Sequence, residues 1–154
     1  MRADGTAEIL VRSFSWNRDK TLKDILFIAG SESDREAVRP GLDLMTNSHL
    51  SGDFVVYSAH RNLPELTAFL EEEEKNYRVI ICAAGLSAAL PGVVASLVKK
   101  PVIGVPLVAG PLSGIDALLS ILQLPKGVPC ATMGIGKQGV LNAVYLAERI
   151  VRSN

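Results

Sequence analysis

Along most of its length the chain alternates between short runs of consecutive apolar residues and longer stretches where apolar positions recur every three or four residues. The short runs are Ile25-Leu26-Phe27-Ile28-Ala29, Phe54 to Tyr57, Val79 to Ala83, Val102 to Val105 and Cys130 to Ile135. Continuous runs of this length are expected of parallel strands covered on both faces. Between and after them, Asp34 to about Thr46, Pro64 to Lys75, Leu90 to Lys99, Ile115 to Leu124 and Gly139 to Val151 read as helices. Leu63, Leu66, Phe69 and Leu70 give the second helix one apolar face, and Pro64 suits its first turn. Asp34 is placed to cap the first helix, with Glu36 in its first turn. Pro40-Gly41 inside that helix predicts a kink or a break.

Repeated alternation of strand and helix predicts an α/β fold: a three-layer, doubly wound domain around a five-stranded parallel sheet, in the order 2-1-3-4-5. Ligands of such sheets sit beyond the carboxyl ends of the strands, where the strand order reverses. The loops leaving the first three strands therefore matter most. Residues 1–23 fall outside the pattern and read as an amino-terminal extension to a single domain over residues 24–154. Within the extension Thr6 to Val11 alternates weakly, as one short strand would, and Trp16, the only tryptophan, is a candidate to dock on the body.

Composition narrows the function. A chain of 154 residues, 48% apolar, builds one domain with a sizeable core. Its formal net charge of zero gives no general attraction to nucleic acid or to a membrane surface. Gly and Pro interrupt every apolar run well short of the roughly 20 residues a membrane helix needs. The polar start, Met1-Arg2-Ala3-Asp4-Gly5, has no signal-peptide pattern. Cys82 and Cys130 sit in apolar runs and read as reduced core thiols, which points to the cytoplasm. No Cys/His spacing suggests a metal. Glu71-Glu72-Glu73-Glu74 would point in different directions around a helix, so it reads as a solvated face. His49, in a polar stretch, also reads as solvated.

Candidate chemistry lies in the loops. Gly30-Ser31-Glu32-Ser33-Asp34 offers backbone N–H groups and the Ser31 and Ser33 hydroxyls to an anion, and Asp34 can accept from ribose hydroxyls. Ser33 or Asp34 can equally act as a helix cap. In Ser58-Ala59-His60-Arg61, Arg61 supplies a planar fork for phosphate, Ser58 a hydroxyl, and His60 a proton carrier near neutral pH. In Ala83-Ala84-Gly85-Leu86-Ser87-Ala88-Ala89-Leu90-Pro91-Gly92, the small residues allow close approach to a flat ligand whose face the leucines can cover, or simply tight packing of helix on sheet. Gly134, Gly136 and Gly139 form Gly-x-Gly-x-x-Gly, but after the last strand and with no acidic residue about 20 positions on, a poor match to a dinucleotide fingerprint.

These motifs, with Leu90-Pro91-Gly92-Val93-Val94-Ala95, Pro101-Val102-Ile103-Gly104-Val105-Pro106, Leu112-Ser113-Gly114-Ile115-Asp116 and Gln123-Leu124-Pro125-Lys126-Gly127-Val128-Pro129, resemble a family of purine-biosynthesis enzymes. Its members are N5-carboxyaminoimidazole ribonucleotide mutase and phosphoribosylaminoimidazole carboxylase. The resemblance covers about Ile25 to Val151. It implies a flavodoxin-like fold, no organic cofactor, no metal, and a homo-oligomer, an octamer or tetramer. It also implies carboxyl transfer on aminoimidazole ribonucleotide by release and recapture of carbon dioxide. By the same resemblance His60 is the catalytic proton shuttle. Ser31, Ser33, Asp34, Ser58, Ala59, Arg61, Gly85, Ser87, Ala89 and Leu90 are then substrate-binding positions, Asp34 toward the ribose and Ser58 with Arg61 toward the phosphate.

Two departures keep alternatives open. The mutase form has a second histidine before Leu-Pro-Gly, where this chain has Ala89, so direct carboxylation by carbon dioxide is one alternative. A weakened nucleotide-binding or assembly relative is another. The family's helical tail is also shortened, and the amino-terminal extension is a candidate to replace its contacts between subunits. A pyridinium nucleotide carboxylase has a similar Ala-Leu-Pro loop but lacks Ser-Ala-His-Arg, which argues against that relative.

Overall fold

The structure, a computed structural model, describes residues 22–153. The expectations for Thr6 to Val11 and for Trp16 lie outside the described residues.

The strands are β1 (Lys23–Ala29), β2 (Gly52–Val56), β3 (Tyr77–Ala84), β4 (Val102–Pro106) and β5 (Ala131–Thr132). The helices are α1 (Arg35–Asn47), α2 (Leu63–Glu73), α3 (Ala89–Leu97), α4 (Ile115–Leu122) and α5 (Gly136–Arg152). All neighbouring strands pair parallel, in the order β2-β1-β3-β4-β5. This is the flavodoxin-like order that the apolar pattern predicts.

Successive strand residues face opposite sides of the sheet. Ile25, Phe27 and Ala29 pack with Val38 and Met45 of α1 and Val140, Val144 and Ala147 of α5. Leu26 and Ile28 pack with Leu66 and Leu70 of α2, Leu90 and Val94 of α3, and Ala117 of α4. The strands carry apolar residues on both faces because both faces are covered. Among the described residues no helix is long and apolar enough to cross a membrane.

Several local expectations are corrected. Helix α1 runs unbroken through Pro40. Gly41 serves packing there: a Cβ on it would meet Val140 Cγ1 at 2.6 Å, so glycine lets α1 and α5 close together. Asp34 makes no side-chain cap for α1. Ser31 instead caps a turn of 3₁₀ helix, Glu32–Asp34, which leads into α1. The fifth apolar run pairs only at Ala131–Thr132, because Gly134 (φ 119°) and Gly136 (φ 65°) turn the chain into α5 through left-handed backbone.

The glutamate run is only half solvated. Glu71 and Glu72 are exposed, whereas Glu73 accepts from Asn76 Nδ2 at 2.9 Å and Glu74 Oε2 accepts from the Lys99 N–H at 3.2 Å. His49 is exposed, in left-handed backbone (φ 55°) after α1. Cys82 is buried, Cys130 is half-buried, and both are free thiols. Burial pushes both thiols up, Cys130 to about 11, so neither is a ready nucleophile.

Candidate functional site

The parallel ladders continue past the ends of the strands and fix where their loops begin. The Gly30 N–H donates to Ala83 O (2.9 Å), Tyr57 N–H to Ala29 O (3.0 Å) and Leu107 N–H to Ala84 O (2.9 Å). Beyond these bonds the loops after β1, β2 and β3 converge on one cavity of about 220 Å³. It lies where the chain steps from β1 to one side for β2 and to the other side for β3, the switch point of the sheet.

The first loop supplies Gly30, Ser31, Ser33 and Asp34 to the cavity. Ser31 Oγ accepts from the Ser33 N–H at 3.3 Å, and the Ser31 and Ser33 hydroxyls lie 2.9 Å apart. The Asp34 N–H donates to Ser31 O at 3.1 Å and closes the turn. Burial raises the Asp34 carboxyl above its ordinary value, and a hydrogen bond from the Ser31 backbone partly opposes the rise.

The second loop supplies Ser58, Ala59, His60 and Arg61. Asn62 holds it from both sides: its Oδ1 accepts from the Ser58 N–H at 2.7 Å, and its N–H donates to Ser58 O at 3.1 Å. The loop is thus a closed turn that presents His60 and Arg61, both exposed. Neither side chain has a hydrogen-bond or ion-pair partner among the described residues, so both are free to meet a ligand. Motif spacing does not reveal this Asn62 clamp, although an Asn just before a helix is a signal for such a turn.

The third loop supplies Ala84, Gly85, Leu86, Ser87, Ala89 and Leu90, and Ala109 reaches in from the loop after β4. Glycine at 85 is a packing requirement, since a Cβ there would lie 2.7 Å from Ala109 Cβ. Leu86 sits in left-handed backbone (φ 55°) and is exposed at the cavity mouth. Helix α3 begins at Ala89, so the amino end of its dipole faces this region. Ala109 has no signal in the sequence beyond its place after the fourth apolar run.

All the side chains expected from the sequence, Ser31, Ser33, Asp34, Ser58, Ala59, His60, Arg61, Gly85, Ser87, Ala89 and Leu90, therefore line this cavity. Hydroxyls, a carboxyl, a guanidinium and an imidazole face a small-residue wall. That arrangement suits a phosphorylated, hydroxyl-bearing ligand with a flat ring. Among the described residues no three His, Cys, Asp or Glu side chains converge as metal ligands. The Gly134–Gly139 stretch stays outside the cavity, and Gly139 packs against the Gly134 backbone.

Comparison with known proteins agrees with the motifs. A family model, AIR carboxylase, matches residues 24–154. The chain belongs to the AIR carboxylase family. Relatives within it include the N5-carboxyaminoimidazole ribonucleotide mutase of Brucella melitensis, 40% identical over 129 residues, covering 83% of this chain and 80% of that protein. The chloroplastic phosphoribosylaminoimidazole carboxylase of Vigna aconitifolia is 42% identical over 127 residues, which are 81% of this chain and 22% of that longer protein. Among solved structures, Treponema denticola PurE superposes with a TM-score of 0.75 at 26% identity, over 84% of this chain and 80% of the other. Membership of the AIR carboxylase family thus rests on sequence and on fold, and the family resemblance read from the motifs is borne out.

Proposed function

We propose that this chain catalyses carboxyl transfer on aminoimidazole ribonucleotide in purine biosynthesis, converting the N5-carboxy compound to the 4-carboxy compound. The observation that carries this is the meeting of His60 and Arg61 with Ser31 and Asp34 in one cavity, in a member of the AIR carboxylase family. Arg61 and Ser58 take the phosphate, Asp34 the ribose hydroxyls, and the wall of Gly85, Ser87, Ala89 and Leu90 lies along the ring. Ser31, Ser33 and Ala59 complete the lining.

His60 moves the proton. As the bond between the exocyclic nitrogen and the carboxyl carbon breaks, His60 gives its proton to that nitrogen and carbon dioxide is released. Ring carbon 4 then attacks the carbon dioxide, and the neutral imidazole takes up the proton that carbon 4 sheds. No proton is consumed overall, so one histidine suffices. A closed pocket matters because it keeps carbon dioxide beside its acceptor.

Ala89 favours a second reading, direct carboxylation with carbon dioxide. Its methyl group puts no ionisable side chain on the wall where the mutase pattern has a histidine. In that case His60 only accepts the proton lost from carbon 4. The experiment supplies purified protein with N5-carboxyaminoimidazole ribonucleotide, with His60→Asn alongside. Turnover by the wild type and its loss in the variant carry the proposal. Binding without turnover in the wild type, both of this compound and of aminoimidazole ribonucleotide with bicarbonate, overturns it in favour of a nucleotide-binding relative. Exchange of labelled bicarbonate into product separates mutase from direct carboxylase.

The reading includes a single catalytic domain over residues 24–154, work in the cytoplasm, and assembly as a homo-oligomer, an octamer or tetramer. For assembly, the support is the outer face of α4. Leu112, Ile115, Leu119 and Leu122 recur at helical spacing and are exposed by 59%, 50%, 54% and 52%. Asp116 is the only charged residue between Pro101 and Pro125, so a second copy can present the same uncharged face without repulsion. Light scattering is expected to give a multiple of the 16.5 kDa chain mass, and Leu119→Asp to lower it. A wild-type monomer would end this part of the proposal.

A further inference from the structure

A second cavity, of about 310 Å³, lies away from the site between α1 and the edge strand β2. Leu42, Met45 and Phe54 line its apolar part, and Asp53 and Asp43 supply acidic groups. Asp53 is 3% exposed. Its Oδ2 accepts from Lys23 Nζ at 2.6 Å and from the Tyr77 hydroxyl, but its Oδ1 is buried and has no partner among the described residues. A buried carboxylate oxygen without a donor is costly, and it belongs to a residue of this cavity's wall. Asp43 is exposed and makes no ion pair among the described residues, whereas Arg35 and Arg39 are paired with Glu32 and Glu36.

We infer that this cavity is the docking site of the chain's own amino-terminal segment, with Trp16 as its anchor. Three observations specify the occupant. The segment joins the body at Lys23, whose ammonium already bonds Asp53 in the cavity wall. Seven residue steps from Trp16 to Lys23 reach about 25 Å when extended, ample for a short return along β2. The chemistry also matches: an indole offers a large apolar face to Leu42, Met45 and Phe54 and one N–H donor to a wall that carries the acidic groups of Asp43 and Asp53. Arg12 and Arg18 flank Phe14 and Trp16 and bring a cation to Asp43. The docked segment covers the open side of an edge strand, which natural sheets commonly protect. It also braces α1, the helix entered through the Ser31–Asp34 turn of the site.

Trp16 is the only tryptophan, so its fluorescence reads the contact directly. In the full-length protein its emission is expected to be blue-shifted relative to the urea-unfolded chain, and shielded from iodide. Thr46→Arg places a bulky cation from an exposed α1 position into the cavity. It is expected to move the emission toward that of the unfolded chain while leaving the far-ultraviolet dichroism intact. Leu42→Asp should do the same. Native emission already at the unfolded position would overturn the inference, and so would an unshifted band in both folded variants. The shift should also be independent of protein concentration. A band that moves to the red on dilution would overturn docking within one chain in favour of docking on a second copy.

Discussion

Asp34 and Asp53 stand at opposite ends of the same two strands, and the chain uses them in opposite ways. Asp53 follows Gly52 in β2, toward the amino end of the sheet. It is buried there among groups that bond it, Lys23 from β1 and Tyr77 from β3. Asp34 follows β1 at the carboxyl end, half-buried, bonded by backbone alone. At the amino end the Lys23 and Tyr77 bonds to Asp53 Oδ2 tie three strands together, and only Oδ1 is left without a donor among the described residues. At the carboxyl end a carboxyl, an imidazole, a guanidinium and several hydroxyls face open space. The first pattern is what folding stability demands of buried polar atoms, and the second is tolerable only where a ligand will complete it.

The sharpest way to break this contrast is to change each end and ask which property fails. His60→Asn is expected to lower kcat by about 10²–10⁴-fold, the usual worth of a positioned proton carrier, with the melting temperature unchanged. The side chain is exposed and without a partner among the described residues, so its removal costs the fold nothing. Steady-state kinetics and a thermal melt on one preparation test both halves. A large fall in melting temperature would mean that His60 belongs to the fold after all.

Asp53→Ala is the mirror experiment. It strands the Tyr77 hydroxyl in the core and leaves Lys23 without its partner, so a loss of about 2–3 kcal/mol of stability is expected in urea unfolding. Because Lys23 is 42% exposed, water recovers part of its cost, which keeps the figure at the lower end for a broken buried pair. Activity per folded molecule should not change. Next in size comes Arg61→Ala, where losing charge-assisted bonds to phosphate is expected to raise KM about 10–100-fold with little effect on kcat. Stability should again hold.

The sequence reveals one end of the molecule better than the other, for a physical reason. Strands β1 to β4 are legible because burial on both faces forces runs such as Ile25–Ala29, and the site loops are legible because small and hydroxyl residues interrupt those runs abruptly. The fifth strand is overestimated, since apolar character at Met133 and Ile135 says nothing of the left-handed glycines between and after them. Pro40 misleads for a related reason: one missing N–H in the interior of a well-packed helix is outweighed by the contacts of Val38, Gly41 and Met45. The Lys23–Asp53–Tyr77 cluster and the contribution of Ala109 depend on which strands are neighbours, and no local pattern encodes them. The Asn62 clamp, by contrast, is local and signalled by an Asn before a helix.

The smallest effect tests Asp34 itself. Burial is the larger cause of its raised pKa, so the folded state holds the Asp34 proton more tightly than the unfolded chain does. The sign follows from linkage. Below the unfolded value of 3.8 the carboxyl is protonated in both states, and its contribution to stability is fully present. As the pH rises through the raised folded pKa, that contribution is lost, because ionisation then favours the unfolded chain. Asp34→Asn removes the penalty. It is expected to raise the melting temperature slightly at neutral pH, and the difference should vanish in acid. The same variant should bind the ribonucleotide more weakly, since an amide is a poorer acceptor for ribose hydroxyls than a carboxylate. A gain in stability coupled to a loss in affinity is the mark of a group held at a cost for its ligand. If Asp34→Asn instead melted earlier at neutral pH, Asp34 would belong with Asp53 as a structural carboxylate, and the contrast between the two ends of the sheet would fail at that residue.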